Sequence, residues 1–117
     1  MTHAEIEAFC LALPGVSADI KWDCARVFSV HDKMFCLIHM DAAQSTGPSF
    51  KVDPQRFLEM TDQPGFIPAP YLARHHWVKL TDMDAIAAPH LADLLRTSYQ
   101  LVRAKLPKKQ RDALPAL

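Results

Sequence analysis

The residues best able to do chemistry in this chain lie between Pro64 and Leu80. Pro64-Gly65-Phe66-Ile67-Pro68-Ala69-Pro70-Tyr71-Leu72-Ala73-Arg74-His75-His76-Trp77-Val78-Lys79-Leu80 puts three prolines ahead of aromatics, two adjacent histidines and two cations. Proline fixes φ, so the run is suited to holding one shape. Arg74 and Lys79, with Lys33 and Lys51 upstream, could contact phosphates, while Tyr71, His76 and Trp77 could stack on bases or pack against sugars. Lys105, Lys108 and Lys109 would add phosphate contacts from the C-terminal end. The same stretch offers an alternative chemistry: Phe66 to Trp77 as the rigid rim of an apolar pocket for a protein or small ligand, with Trp22, Phe66, Tyr71 and Trp77 lining it.

Other reactive side chains do not assemble into a catalytic or metal-binding motif. Cys36 and His39 have CxxH spacing, but residues three apart on a strand point to opposite faces and do not share a metal. Cys10 falls on the buried stripe of a helix. Cys24 lies in a connection with no base placed beside it. His75 and His76 would need ligands from elsewhere, such as His39 or His90. Asp82 and Asp84 suit a polar turn before a helix. There is no nucleophile elbow, dinucleotide fingerprint or phosphate loop, and the only glycines are Gly15, Gly47 and Gly65. The reading is therefore a non-enzymatic protein with no catalytic residues, no cofactor and no metal.

Length and composition bound the class. A chain of 117 residues, 50% apolar and 22% charged, is long enough for one ordinary core and is read as a single domain over residues 1–117. No apolar run approaches the roughly 18 residues of a membrane span. Met1-Thr2-His3-Ala4-Glu5 lacks the start of a signal peptide. Three cysteines without paired spacing suggest reduced thiols. Together these lead to the expectation of a cytoplasmic monomer without membrane contact. Formal charge sums to zero, but Arg96, Arg103, Lys105, Lys108, Lys109 and Arg111 face only Asp112 in the last segment. A basic end, with a tail from about residue 107, is thus attached to an acidic body. Helix-end cations and solubility offer one reason for it, a contact surface another.

The elements that would position these groups read as helix, sheet, helix. Thr2 and Glu5 form a capping-box pattern, Ile6, Phe9, Cys10 and Leu13 share a helical face, and Pro14-Gly15 stops it. Arg26–Val30 and Met34–His39 read as strands joined by a His31-Asp32-Lys33 loop. A third strand covers Ser49–Val52, with Asp53-Pro54 starting a short helix to about Met60. Asp41 to Pro48 reads as an exposed loop, and Trp77–Leu80 as a further strand. A long amphipathic helix from about Pro89 to Leu106 puts Leu91, Leu94, Leu95, Ser98, Leu101, Val102 and Lys105 on one face, closed by Pro107. Strands grouped between terminal helices favour an α+β fold with a largely antiparallel sheet.

In order and spacing, several segments resemble the MmcQ/YjbR family of small bacterial proteins. They are Leu11-Ala12-Leu13-Pro14-Gly15, Lys33-Met34-Phe35, Lys51-Val52-Asp53, Pro64-Gly65-Phe66, Tyr71-Leu72, His76-Trp77, and Ser98-Tyr99 through Ala104-Lys105-Leu106-Pro107-Lys108-Lys109. The resemblance covers nearly the whole chain. It implies a CyaY-like architecture, with helices on one side of an antiparallel sheet, and a double-wing DNA-binding role. Trp22-Asp23-Cys24-Ala25 and the loop Ala42 to Gly47 depart from the family pattern, both near the expected wings. DNA binding by basic loops and strand ends is thus the leading expectation, with little basis for sequence-specific readout.

Overall fold

Thr2 opens the fold with the expected capping box: its hydroxyl accepts from the Glu5 amide at 3.1 Å, and the Glu5 carboxylate accepts from the Thr2 amide at 2.9 Å. That exchange satisfies two otherwise orphaned amides and holds the exposed Glu5 carboxyl below its usual pKa. The computed structural model describes all 117 residues. In order it contains α1 (His3–Leu11), β1 (Val16–Lys21), β2 (Ala25–Val30), β3 (Lys33–His39), β4 (Ser49–Lys51), α2 (Pro54–Thr61), β5 (Phe66–Pro68), β6 (Trp77–Leu80), α3 (Ala88–Ala104) and α4 (Lys108–Ala113). The strands form one six-stranded sheet in the order β1-β2-β3-β4-β6-β5, every neighbour antiparallel. The fold is α+β, as expected.

Alternation along the strands divides the sheet into two faces. Phe28, Ile38, Phe50, Val78 and Leu80 join one large core with Ile6 and Cys10 of α1 and Leu91, Leu95, Tyr99 and Val102 of α3. On the opposite face Ala25, Val27, Leu37, Ala69 and Trp77 make a smaller cluster, covered by Met34 and Leu72. Leu72 belongs to the connection between β5 and β6, which therefore crosses the helix-free face.

Several elements differ from the sequence reading. Residues 16–21 and 66–68, to which the sequence reading gave no element, are strands, and they form the two edges of the sheet. The β2–β3 turn is His31-Asp32 alone, both at positive φ (46° and 64°), and Lys33 already belongs to β3. Such a tight turn matches the twist of a hairpin better than a three-residue loop. The supposed exposed loop 41–48 is buried at its end. Gly47 donates to Leu80 O at 2.8 Å and Leu80 donates to Pro48 O at 3.0 Å, so the backbone there continues the β4–β6 pairing. A Cβ on Gly47 would stand 2.7 Å from the Leu80 Cβ, which is why glycine is needed. On α3, Leu101 is only half-buried, whereas Tyr99, not counted on the inward face, is fully buried with its hydroxyl donating to Pro14 O at 2.6 Å. Residues 108–113 form α4 where a tail was expected.

Candidate functional site

Three lysines from three elements line one groove of about 540 Å³: Lys33 at the start of β3, Lys51 at the end of β4, and Lys105 at the C-cap of α3. Met34, Leu72, Trp77 and Val102 supply its apolar lining, and His75 and Asp32 stand on its rim. The ion pairs of the chain, Glu7–Arg26, Asp93–Arg96 and Lys108–Asp112, engage none of the three lysines.

The groove opens where β3 and β4 part. Their pairing is limited to Cys36 with Phe50 and Leu37 with Ser49, and Phe35 is the extra residue of a bulge opposite β2. Ser98 of α3 fills the gap. Its hydroxyl donates to Phe35 O at 2.6 Å and accepts from the Lys51 amide at 2.9 Å. The buried serine thus replaces a direct strand-to-strand bond and fixes the backbone of Lys51. Partial burial, and then the positive charge of Lys105, lower the Lys51 pKa from its ordinary value near 10.5. A bound anion would relieve that repulsion.

The remaining expected contact residues are dispersed. Trp77, 4% exposed, is anchored in the smaller cluster and lines the groove with little surface left for stacking. Lys79 is half-buried two residues along the same strand face, opposite Ser49. Arg74 is exposed in the 3-10 turn Ala73–His75. His76 has φ 64° and packs edge-on to Phe57, so His75 and not His76 faces the groove. Of the C-terminal cations, only Lys105 reaches it. Lys108 pairs with Asp112 at 3.4 Å, Lys109 is exposed on α4, Arg96 pairs with Asp93 and lies over the Phe9 ring, and Arg103 donates to Tyr99 Oη and Leu114 O. The basic end is therefore divided around the molecule.

A second cavity, about 430 Å³ and largely apolar, lies on the helix-free face beside the lysine groove, which opens at the sheet's end under α3. Trp22, Tyr71 and Leu72 form walls, together with Cys24, Leu37 and His39. Leu72 also lines the lysine groove, so the cavities are neighbours. Two of the expected pocket residues, Trp22 and Tyr71, meet here. Phe66 does not, since it is buried in the main core, and Trp77 faces the other cavity. Cys36 sits in the core beside Cys10, where burial, reinforced by the Cys10 thiol, pushes its pKa well up. His39 lines the cavity on the other side of the sheet, so Cys36 and His39 do not share a site. No group of three or more His, Cys, Asp or Glu side chains is placed to hold a metal ion, and no helix is long and apolar enough to cross a membrane.

The fold and the groove define a small α+β protein with a cationic recess at one end of its sheet. A model of the YjbR family matches residues 11–101, and the chain belongs to that family. The crystal structure of a Deinococcus radiodurans protein with a DUF419 domain is similar, with 29% identity and a TM-score of 0.86, covering 95% of this chain and 86% of that one. A Pseudomonas syringae protein of known crystal structure shares the fold at 19% identity and a TM-score of 0.70, covering 87% of this chain and 99% of that one. No curated protein matches the chain.

Proposed function

We propose that this protein binds DNA by holding backbone phosphates in the groove of Lys33, Lys51 and Lys105. One observation carries the reading: three elements distant in sequence bring their lysines to a single recess in which none is ion-paired. Burying part of Lys51 beside another cation is unfavourable in the free protein, and phosphate oxygens would turn that cost into attraction. His75 and exposed Arg74 lie close enough in sequence to extend the contact from the 3-10 turn. The groove lining offers its lysines to phosphates and contains no Arg, Asn or Gln fork for bidentate base contacts, so in this reading the contact is mainly electrostatic. In this reading the chain is a non-catalytic cytoplasmic monomer.

The test is fluorescence anisotropy of labelled mixed-sequence DNA at two salt concentrations, with wild type and the Lys33→Ala/Lys51→Ala/Lys105→Ala variant. Saturable binding that weakens with salt is expected, with the log–log slope reduced by roughly 0.7–0.9 for each lysine removed. No binding even at low salt would overturn the reading and leave the apolar cavity as the functional element, in a ligand-binding module whose affinity responds little to salt.

A further inference from the structure

We infer that the DNA taken by this face is single-stranded, with one unstacked base seated in the apolar cavity against Trp22 and Tyr71 while neighbouring phosphates occupy the lysine groove. This rests on the DNA reading above and names its substrate class.

Chemical division between the two cavities supports the assignment. The lysine groove carries the charge, whereas no Asp, Glu, Lys or Arg lines the apolar cavity beside it. Leu72 is their shared wall. A polynucleotide strand has the same division, an anionic backbone and flat, weakly polar bases. In a duplex the base faces are occupied by stacking, and only groove edges are offered. An apolar, aromatic-walled recess can therefore be filled by a base only when the strand is single.

The two aromatics are exposed and held on constrained backbone. Trp22 is 64% exposed and Tyr71 is 100% exposed, the two largest aromatic surfaces open to water on this face. Trp22 has φ 55° in the tight turn closed by Cys24 N donating to Lys21 O at 3.3 Å. Tyr71 has φ 66° in the turn closed by Leu72 N donating to Ala69 O at 3.2 Å. Left-handed backbone is unfavourable for bulky residues, and such conformations cluster at ligand-holding sites. Neither ring gains burial in the free protein to offset that cost. Ala69 and Leu72, either side of the Tyr71 turn, pack in the smaller cluster, and Ala25 of that cluster pairs with Lys21 at the start of the Trp22 turn.

Anisotropy with three labelled probes tests this: a mixed-sequence single strand, its duplex, and a strand of equal length carrying abasic sites. Wild type should hold the intact single strand about tenfold more tightly than either of the others, since base stacking on an aromatic platform is of that order. Trp22→Ala and Tyr71→Ala should each lose about tenfold on the single strand while keeping duplex affinity and the salt slope. Trp22→Phe, which keeps a stacking face, should retain most of the affinity and shows that the turn still folds. Equal affinity for all three probes, or unchanged affinity in both alanine variants, would overturn the inference while leaving the phosphate groove intact. Failure of wild type to bind any probe would overturn both readings.

Discussion

Replacing Ser98 with alanine removes the hydroxyl that joins β3 to β4 at the mouth of the groove. Two hydrogen bonds are lost, the donation to Phe35 O at 2.6 Å and the acceptance from Lys51 N at 2.9 Å. Each is worth about 1 kcal/mol net, and a buried partner left unsatisfied costs about 1–3 kcal/mol. Phe35 is fully buried, whereas Lys51 is only half-buried and its amide can recruit water, so the penalty falls mainly on the Phe35 carbonyl. The expected destabilisation is about 2–3 kcal/mol. With an unfolding entropy of about 2.1 cal/mol/K per residue, a chain of this length should lose roughly 8–12 °C in Tm. Differential scanning calorimetry and urea unfolding followed by circular dichroism would measure it, with the midpoint shifting and the m-value unchanged. Because the same hydroxyl anchors Lys51, DNA affinity should fall at temperatures where both proteins are folded. A Tm within about 2 °C of wild type would refute the reasoning, since the gap would then close without the serine.

Three further outcomes follow from the same structure. Lys51 should titrate below the other lysines in an NMR experiment on Nζ, and Lys105→Ala should move it only part of the way back, because burial is the larger cause. Since its folded pKa is depressed, the unfolded chain binds more protons between that value and about 10.4, so this group adds stability as pH rises through that window; a Lys51 pKa equal to that of the exposed lysines would contradict the assignment. Iodoacetamide should label only Cys24 in the native protein, because Cys10 and Cys36 are buried and burial holds the Cys36 thiol protonated; labelling of all three at equal rates would contradict the packing. Tyr99→Phe should cost about 1–2 kcal/mol through loss of the bond to Pro14 O and the one accepted from Arg103, while keeping the edge-on contact with Phe35, as chemical denaturation would show.

Much of the architecture was legible because local chemistry marks it. The Thr2–Glu5 cap, the Pro14-Gly15 stop, Asp53-Pro54 and the apolar face of α3 each signal through residues a few positions apart. The sheet edges were not. Val16-Ser17-Ala18-Asp19-Ile20-Lys21 does alternate, but the turn that follows is built on Trp22 and Asp23 in left-handed conformations without a glycine to announce it. In β5, Pro68 argues against a strand, and only the edge position makes it tolerable. Tyr99 was overlooked because a tyrosine can be either surface or core, and its burial depends on a carbonyl 85 residues away.

The site was legible residue by residue but not as a place. Lys33, Lys51 and Lys105 each carry an obvious charge, yet their convergence depends on β3 lying beside β4 and on where α3 ends over them. Of the adjacent histidines the sequence reading chose His76 as a contact, but the left-handed backbone at His76 and its packing on Phe57 leave His75 in the groove. Cys24 and His39 look unrelated in sequence and share a cavity because β1, β2 and β3 form a continuous meander.

The central claim is a location, so amide chemical-shift mapping during titration with unlabelled single-stranded DNA tests it most directly. The predicted result is fast, saturable shifts centred on Lys33, Met34, Lys51, Leu72, His75 and Lys105, weakening as salt is raised. Shifts confined to Lys108, Lys109 and Arg111 on α4, or no shifts at low salt, would contradict it.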